Sequence, residues 1–466
     1  MQKKYDLLIL GGGPGGYVSA IRAGQLGLKV AVIEKEAIGG TCLHHGCIPS
    51  KAIIRSAEIL SLIQNADKFG ITVAQVSADF GVAVDRSQKV LQKLYRGVLH
   101  LMKKHQVDIF EGFGKIIAPG QIEIEGAEDT QIIQGKNIII ATGSRVKSLP
   151  HLPINGTRII TSNEALLRRQ LPQSVLIVGG GAIGVEFAYI YSVYGVQVTI
   201  AEMCPVLLPT EDHEVSTLLA RSFKKRKIAV KTGKRVGKIR DEDGVYTVSL
   251  EDERGETENI SAEVILVAVG RAANVDKIGL ETLGISQEEG SGLIQVDENM
   301  LTNCEGIFAI GDVSTRPALA HGAMAQGVFV AERIAGMTRI PIDSETIPSA
   351  VYCHPQVASV GLTEARARKA GLAIKIAKFP LSANGKAIAL GETEGFVKII
   401  ADEKHGEILG AHIIGAEATE LIAEFVLAKT LEATASDLNQ AIHPHPTLSE
   451  AVMEAGGAIF DEAIHF

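Results

Sequence analysis

The sequence predicts an α/β fold in which one strand–turn–helix–strand unit occurs twice and a region of mixed α and β structure follows. Two segments with the spacing Gly-x-Gly-x-x-Gly, at residues 11–16 and 179–184, each come directly after a continuous apolar run. In each copy an acidic residue ends the next apolar run. From Ile347 onward the composition changes, and short strand-like runs precede a longer helical run.

Length and composition limit the classes of protein that the chain can belong to. Its 466 residues are enough for two to four domains, and 46% hydrophobic with 21% charged residues is typical of a globular protein. The net charge of -8 argues against a general nucleic-acid surface, which is normally basic. We find no export signal, and glycines and Glu186 interrupt the longest weakly charged stretch, so we expect no membrane partner and a cytoplasmic protein, with an organelle matrix after removal of a transit peptide as the alternative.

The first unit has the residues of a dinucleotide site. A buried strand is predicted at Lys4 to Leu10, a helix at Tyr17 to Leu26 and a second strand at Lys29 to Ile33. The turn contains three glycines: the first permits a tight turn, the second lets the backbone approach a pyrophosphate, and the third allows close helix packing. An acid about 20 residues on accepts hydrogen bonds from an adenosine ribose. These residues are Gly11, Gly13, Gly16 and Glu34.

The second unit repeats this pattern. Strands are predicted at Ser174 to Val178 and Gln197 to Ala201, with a helix at Val185 to Tyr194 between them. Glu202 would repel a 2′-phosphate, and no arginine takes its place, so this site is predicted to bind NAD rather than NADP. Two nucleotide cofactors in one chain imply electron transfer between them. The turn glycines of this unit are Gly179, Gly181 and Gly184.

The other predicted elements follow from apolar runs and helical periodicity. Helices are expected at Ile48 to Leu62 and Asp85 to Lys104, and strands at Asn137 to Ile140, Val264 to Val269 and Gly306 to Asp312. The last region is predicted to be an α+β domain with strands at Ala373 to Phe379, Gly395 to Ala401 and Gly406 to Ile413, and a helix at Glu417 to Ala433.

Two cysteines, Cys42 and Cys47, lie in a glycine-bounded segment that begins five residues after the acid of the first unit. A thiol pair placed there can pass two electrons to a bound flavin. In a regular helix residues five apart are too distant for a disulfide, so pairing requires a distorted helix start, for which Gly46 and Pro49 are suited. The five cysteines are too few and too scattered for a secreted disulfide scaffold or a zinc finger, and no metal is expected.

Over essentially its full length the chain resembles the flavoprotein disulfide reductases, and within them the dihydrolipoamide dehydrogenase branch. Several motifs in the same order carry the resemblance. They are Gly-Gly-Thr-Cys42-(x)4-Cys47-Ile-Pro-Ser-Lys51, Ala141-Thr-Gly143, the second glycine fingerprint with Glu186, Ile310-Gly-Asp312 and His445-Pro-Thr-Leu-Ser-Glu450. One pair, His44-His45, departs from the commonest pattern, and we favour surface or interface packing over catalysis for it.

The resemblance implies FAD and NAD as cofactors and a role for each matching position. Cys47 resembles the flavin-side sulfur and Cys42 the interchange thiol, while Lys51 resembles the lysine near flavin N5. Glu186 is the expected partner of that lysine, and Gly270 resembles a backbone contact on the nicotinamide side. Residues that resemble flavin-nucleotide contacts are Gly114, Thr142, Gly143, Ser144, Asp312, Ala318, Leu319, Ala320 and His321.

His445 and Glu450 resemble the acid–base dyad of the family, which acts from the second subunit of a homodimer. Histidine suits proton transfer to and from thiols because its pKa lies near neutrality. A carboxylate five residues on can fix the tautomer of the ring and stabilise the imidazolium. His443, two residues away, would point in the opposite direction in an extended segment.

The resemblance implies four domains and one reaction. The domains are FAD-binding (1–145), NAD-binding (146–270), central, completing the FAD site (271–343), and dimerisation (344–466). The implied function is the NAD-linked oxidation of protein-bound dihydrolipoamide, as the E3 component of a 2-oxo acid or acetoin dehydrogenase complex, with its lipoyl domain and E2 core as partners. Two alternatives remain open: another reductase of the family, of glutathione or mercuric type, and a subunit whose main task is docking to a complex core.

Overall fold

The computed structural model describes residues 4–126 and 129–466. Residues 1–3, which open the first predicted domain, and residues 127–128 lie outside the described residues. The described chain divides into two compact units. The first is formed from Met1–Ile53, Gly81–Lys147 and Gly270–Ile342, and the second from Ile54–Phe80, Ser148–Val269 and Asp343–Phe466. The finer division at residues 145, 270 and 343 stays a prediction.

The strands alternate with helices around both glycine fingerprints, and in two other stretches of the chain several strands follow one another directly. In chain order they are β1 Lys4–Leu10, β2 Val30–Glu34, β3 Asp108–Glu111, β4 Phe113–Ala118, β5 Gln121–Glu125, β6 Thr130–Ile140, β7 Ser144–Val146, β8 Ile159–Ile160, β9 Ser174–Val178, β10 Gln197–Glu202, β11 Ala229–Thr232, β12 Arg235–Glu242, β13 Val245–Glu251, β14 Thr257–Ala262, β15 Val264–Val267, β16 Arg271–Ala273, β17 Ile307–Ala309, β18 Ser349–Val351, β19 Gln356–Gly361, β20 Ile374–Pro380, β21 Phe396–Asp402 and β22 Ile408–Gly415.

The α-helices are α1 Pro14–Gln25, α2 Gly40–His44, α3 Cys47–Gln64, α4 Phe80–Lys104, α5 Ser162–Leu167, α6 Ala182–Val193, α7 His213–Lys225, α8 Leu280–Leu283, α9 Ala320–Ile334, α10 Glu364–Lys369, α11 Gly385–Leu390, α12 Ala418–Thr430, α13 Ala435–Gln440 and α14 Glu450–Ala458. Short 3₁₀ turns lie at Ala66–Phe69, Gly311–Val313, Ser344–Thr346 and Leu381–Ala383. Within residues 4–126 and 129–466, no helix is long and apolar enough to cross a membrane.

The first unit is organised around a sheet of strand order β3-β2-β1-β6-β5-β4, with β17 pairing to β6. Five strands of this sheet run parallel to their neighbours: β1, β2, β3, β6 and β17. Strand β5 pairs antiparallel with β6, and β4 pairs antiparallel with β5. Leu10 pairs with both Ile33 and Ile140, and Ala309 also pairs with Ile140, so four strands end together at one edge. Ligands of open α/β sheets bind outside this carboxyl edge.

Helices α1 and α9 pack closely together in this unit. A Cβ at Gly327 of α9 would lie 2.6 Å from the Gly15 carbonyl oxygen of α1, so the glycine lets the two backbones approach. Beneath them, the continuous apolar runs of β1 and β2 are buried on both faces, as expected for parallel strands covered by helices.

The second unit contains three sheets. A parallel sheet of order β11-β10-β9-β15-β8 carries the second glycine fingerprint, and the antiparallel meander β12-β13-β14 forms a separate sheet. The last part of the chain forms the antiparallel sheet β18-β19-β22-β21-β20, whose buried side chains pack with those of α12 and α14. The predicted fold class, two Rossmann-like units and an α+β region, is confirmed.

Three predicted helix starts were at least three residues too late, and one of them is that of α6, which begins at Ala182 rather than Val185. Helix α1 begins at Pro14 rather than Tyr17, because proline has the φ that a first helical position requires. Helix α4 begins at Phe80 rather than Asp85, and the Phe80 ring is buried with its centroid 5.1 Å from the Tyr194 ring. Because this is a tertiary contact, helical periodicity in the sequence does not predict the earlier start of α4.

The predicted helix at 417–433 is confirmed as α12, and a second helix that was not predicted, α13, follows it directly. Thr434 lies between them and begins α13 with a capping box: the Asp437 carboxylate accepts from the Thr434 amide at 2.7 Å, and Thr434 Oγ1 accepts from the Asp437 amide at 3.4 Å. The predicted strand at 406–413 begins two residues later, at Ile408.

Candidate active site

The β1–α1 turn forms a cradle that fits a dinucleotide pyrophosphate. Gly11 has φ +107°, and a Cβ there would lie 2.3 Å from the Ala141 carbonyl oxygen. A Cβ at Gly16 would lie 1.9 Å from the Gly11 oxygen, so only glycine allows helix and strand to meet so closely. Gly13, in contrast, faces open space at the N-terminus of α1, where the helix dipole favours an anion.

Glu34 is fixed beside this cradle by two backbone groups. Its Oε2 accepts a hydrogen bond from the Gly12 amide at 2.7 Å, and its Oε1 accepts one from the Glu36 amide at 2.9 Å. Each carboxylate oxygen has a second lone pair, so both oxygens can still accept from the hydroxyls of a ribose. The cradle and the acid therefore fit the adenosine half of FAD, as predicted from the spacing.

The second fingerprint reproduces this geometry in the second unit. Gly179 has φ +112° and a Cβ there would lie 2.3 Å from the Ala268 oxygen, while a Cβ at Gly184 would lie 2.0 Å from the Gly179 oxygen. Gly181 faces open space. Glu202 accepts from the amides of Gly180 at 2.6 Å and Cys204 at 2.7 Å. The second cradle therefore fits NAD, with a carboxylate where NADP would need a cation.

Replacing Glu202 by alanine should weaken NAD⁺ binding by about 10- to 100-fold, because hydrogen bonds to a charged group are lost. Discrimination against NADP⁺ should fall at the same time, because the carboxylate no longer repels a 2′-phosphate. The measurement is the dissociation constant of each nucleotide. Glu253→Ala, an exposed acid of the same unit, should change neither constant. Unaltered discrimination in Glu202→Ala would contradict this assignment.

The cysteine segment has the predicted distortion. Helix α2 ends at His44 and α3 begins at Cys47, so the helix is interrupted between the two cysteines. A Cβ at Gly46 would lie 3.0 Å from the Thr41 oxygen, which shows how closely the chain turns back on itself. The two cysteines are not joined by a disulfide and interact through a side-chain hydrogen bond. The break thus brings together two sulfurs that a regular helix would separate.

The surroundings of Cys42 make its thiol hard to ionise. The hydrogen bond with Cys47 and burial raise the pKa of Cys42 well above its usual range, and the positive charge of Lys51 opposes them only in part. A thiolate is the form that attacks a disulfide. The pair therefore needs a base from elsewhere to remove its proton.

Sequence reasoning missed Arg271, which links three parts of the first unit. Its Nε donates to Ser144 Oγ at 2.7 Å, and one terminal nitrogen donates to the Ser144 carbonyl at 2.6 Å and to Thr41 Oγ1 at 3.3 Å. Ser144 Oγ in turn donates to Asp312 Oδ2 at 2.5 Å. Burial lowers the pKa of Arg271, while Asp312 and Cys47 oppose that shift. The signal in the sequence was an arginine directly after Gly270, at the end of a buried strand.

Replacing Arg271 by methionine should slow alkylation of the cysteine pair by iodoacetamide near neutral pH by about tenfold, because a nearby cation stabilises a thiolate. The rate is measured on the reduced protein. Arg145→Met removes an exposed arginine of the adjoining strand, which pairs with Asp276, and should leave the rate unchanged. Equal rates in both variants would show that Arg271 has no such effect.

The other predicted flavin-contact residues lie at the carboxyl edge of the sheet with one exception. Thr142 Oγ1 donates to the Asn274 carbonyl at 2.7 Å, and Asn274 Nδ2 donates back to the Thr142 carbonyl at 3.0 Å, which fixes the loop after β6. Asp312 lies in the 3₁₀ turn after β17, and residues 318–321 lead into α9. Gly114 lies within β4 instead, where a Cβ would meet the Leu10 side chain at 2.4 Å. Its backbone contact to FAD stays a prediction.

The predicted pairing of Lys51 with Glu186 also stays a prediction. Glu186 is buried and accepts a hydrogen bond from the Tyr352 amide at 3.0 Å.

Gly270 has φ +105°, and its carbonyl accepts from the Lys147 amide at 3.0 Å. His44 Nε2 donates to the Ile38 carbonyl at 2.8 Å, and the ring contacts Tyr95 edge-on, which supports a packing role.

His445 and Glu450 form the predicted pair. His445 Nδ1 lies 2.8 Å from Glu450 Oε1, and the Thr447 amide donates to Oε2 at 2.8 Å. Burial acts to raise the pKa of Glu450, but these two hydrogen bonds outweigh it and hold the pKa below its usual value. The imidazole is 79% exposed, so its Nε2 face is open to a reacting group. His443 pairs with a different acid, Glu424, at 2.7 Å.

The described residues offer no metal site to set beside these groups. Within residues 4–126 and 129–466, no three His, Cys, Asp or Glu side chains are grouped so that they could hold a metal ion.

Comparison with known proteins identifies the class that these features define. Residues 5–327 match the model of the pyridine nucleotide-disulphide oxidoreductases, and residues 347–456 match the dimerisation domain of the same proteins. The chain therefore belongs to the pyridine nucleotide-disulphide oxidoreductase family. The dimerisation domain supports the predicted homodimer.

Particular relatives narrow this class. The chain is 47% identical to the dihydrolipoyl dehydrogenase of Bacillus subtilis and 44% identical to that of Zymomonas mobilis, covering 100% of both chains in each case. Among solved structures it is similar to LpdA from Mycobacterium tuberculosis, with a TM-score of 0.90 and 26% identity over 97% of this chain and 99% of that one. The Cu(II) complex of the flavoprotein disulfide reductase RclA from Escherichia coli matches with a TM-score of 0.87 and 26% identity, over 98% and 99% of the two chains. The predicted enzyme class and the cofactors FAD and NAD are confirmed.

Proposed function

We propose that the chain is a dihydrolipoyl dehydrogenase, which oxidises protein-bound dihydrolipoamide with NAD⁺ as the final acceptor. The hydrogen-bonded pair Cys42 and Cys47, beside the first nucleotide cradle, carries this proposal. It supports dithiol–disulfide exchange, and the full-length relatives named dihydrolipoyl dehydrogenase support the choice of substrate. The overall reaction is dihydrolipoamide + NAD⁺ → lipoamide + NADH + H⁺.

The exchange begins with the Cys42–Cys47 disulfide. A thiolate of dihydrolipoamide attacks the Cys42 sulfur, the Cys42–Cys47 bond breaks, and Cys47 leaves as a thiolate. The second substrate thiolate then attacks the substrate sulfur of the mixed disulfide, so that lipoamide leaves and Cys42 is released. The two-electron transfer from this dithiol to NAD⁺ is the chemistry that bound FAD supplies.

Proton transfer is assigned to the His445–Glu450 pair of the partner subunit. His445 takes a proton from each substrate thiol and returns one to Cys42, whose raised pKa makes an unassisted thiolate a poor leaving group. Glu450 holds Nδ1, which leaves Nε2 free to exchange the proton. Arg271 and Lys51 keep the sulfur pair in positive surroundings.

Substrate comparison tests the proposal. Turnover of lipoamide, glutathione disulfide and Hg(II) should be measured with NADH and with NADPH as reductant. We expect lipoamide with NADH to be the preferred combination. The preference for NADH over NADPH should be at least the ~10²-fold that a charged contact to the nucleotide can provide. Preference for glutathione disulfide or Hg(II) would replace the proposal with another reductase of the family.

We further propose that the enzyme is cytoplasmic and works as the E3 component of a 2-oxo acid or acetoin dehydrogenase complex, with a lipoyl domain as its substrate and an E2 core as its binding partner. The relatives named dihydrolipoyl dehydrogenase support the activity. Exchange between the cysteine pair and the substrate requires a lipoyl group that can reach the two sulfurs. Sedimentation of the purified dimer with isolated E2 cores of each type would identify the partner complex.

A further inference from the structure

A buried asparagine, Asn384, ties the loop that carries the dyad to the antiparallel sheet of the second unit. This dyad loop, residues 441–449, lies between α13 and α14 and contains neither helix nor strand. Asn384 Nδ2 donates to the Thr447 carbonyl at 3.0 Å, although the two residues are 63 positions apart in the chain. Asn384 is only 4% exposed, so water does not compete for this hydrogen bond.

Asn384 is itself held firmly on the sheet. It is the N-cap of α11, where its Oδ1 accepts from the Ala387 amide at 2.9 Å. Its own backbone amide donates to the carbonyl of Leu381, which directly follows β20 and is fully buried, at 3.0 Å. A side-chain amide has an acceptor oxygen and a donor nitrogen, so the cap and the bond to Thr447 use different atoms.

Thr447 connects Asn384 with both members of the dyad. Its amide donates to Glu450 Oε2 at 2.8 Å, and the other oxygen of that carboxylate lies 2.8 Å from His445 Nδ1. Its Oγ1 donates to the Pro444 carbonyl at 2.8 Å, which closes the turn around His445. The residue that Asn384 holds therefore fixes the carboxylate and also the backbone on either side of the imidazole.

Two other contacts hold the dyad loop without setting the direction of the Thr447 carbonyl. His443 Nε2 lies 2.7 Å from Glu424 on α12, and the Leu448 side chain is buried among apolar residues. Burial of an apolar side chain is non-directional, whereas a hydrogen bond to a carbonyl oxygen has a preferred geometry. Asn384 thus supplies a directional restraint between His445 and Glu450.

We propose that Asn384 is a positioning residue of the acid–base dyad: its side-chain amide holds Thr447, and through Thr447 the Glu450 carboxylate and the His445 ring, in the geometry for proton exchange with the cysteine pair. This inference rests on the proposed role of His445 and Glu450, and it assigns Asn384 no contact with substrate or cofactor. Displacement of a reacting group by about 1 Å can cost ~10²-fold in rate, so the loss of one fixed donor can slow this step in a folded protein.

Asn384→Ser separates the two tasks of the side chain. Serine caps a helix as well as asparagine does, but its shorter side chain has no second polar group that could reach Thr447. We expect kcat and the rate of pre-steady-state exchange with dihydrolipoamide to fall about 10- to 100-fold, with KM for dihydrolipoamide unchanged. Thr363→Ala is the matched control, because it removes the N-cap of α10, a helix of the same unit and of the same length as α11. It should leave all three quantities unchanged.

A double variant distinguishes positioning from general damage to the structure. Because Asn384 acts through His445, adding Asn384→Ser to His445→Gln should cause no further loss of rate. All variants are measured as intact FAD-loaded dimers. If Asn384→Ser does not load FAD, Asn384→Asp takes its place with the same expected results, since it is equal in size and caps the helix but its ionised carboxylate has no hydrogen to donate.

An unchanged exchange rate in Asn384→Ser would overturn the inference, and so would an equal fold-loss in the original and His445→Gln backgrounds. Full lipoamide turnover by His445→Gln would instead contradict the proposed dyad, and the inference with it.

Discussion

Replacing Cys47 by serine should lower dihydrolipoamide–NAD⁺ turnover by about 10³-fold or more, the size of loss seen when a reacting group is removed. The hydroxyl is close in size to the thiol, so the break between α2 and α3 should persist. It cannot form a bond to the sulfur of Cys42, so no disulfide is available to accept electrons from the substrate. Steady-state rates and the flavin content of the same preparation are the measurements.

Cys304→Ser is the matched control. This cysteine is half-buried in the same unit and donates to the Leu283 carbonyl at 3.3 Å, so the substitution is equally conservative but lies outside the cysteine segment. Its turnover should stay close to that of the original protein. Full lipoamide turnover by Cys47→Ser would show that the reaction does not pass through this pair.

Replacing His445 by glutamine should lower turnover by about 10²- to 10⁴-fold, the usual contribution of a general acid–base group. Because the pKa of Cys42 is raised, a base outside the cysteine pair is needed to remove its proton. His443→Gln is the control, because that ring is two residues away and pairs with Glu424 rather than Glu450. Pre-steady-state thiol–disulfide exchange is the measurement, since it isolates the step that needs the base.

Mixed dimers test whether the dyad acts across subunits. A dimer of one Cys47→Ser subunit and one His445→Gln subunit would have one site with both lesions and one site with neither, provided that each site takes its cysteines and its histidine from different chains. Two inactive homodimers should then give a heterodimer with about half of the original activity. A heterodimer as inactive as its parents would place the cysteines and the histidine of a site in the same chain.

Both nucleotide cradles could be predicted from the sequence, because their geometry depends on a few residues at fixed spacing. Gly16 and Gly184 must lack a Cβ to let a helix meet its strand, and this requirement is visible in the sequence without knowledge of the fold. The pairing of His445 with Glu450 was predicted from the resemblance to the family together with the five-residue spacing, and Nδ1 of the histidine lies 2.8 Å from the carboxylate.

Arg271 and His465 were not predictable because their contacts join parts of the chain far apart in sequence. Arg271 meets Thr41, 230 positions away, and β16, which carries Arg271, pairs with β7 in a two-stranded sheet. His465 reaches Glu454 only because residues 464–466 fold back along α14. The late predicted start of α4 has the same origin, since tertiary packing on Phe80 extends the helix beyond its periodic part.

The visible spectrum during anaerobic titration with dihydrolipoamide tests the central claim most directly, that Cys42 and Cys47 exchange electrons with the substrate beside the flavin. We expect a long-wavelength band from a thiolate–flavin contact to appear as the first equivalent is added, and NAD⁺ to discharge it. The band should be absent in Cys47→Ser. Bleaching of the flavin without such a band, or a band that NAD⁺ leaves unchanged, would contradict the account.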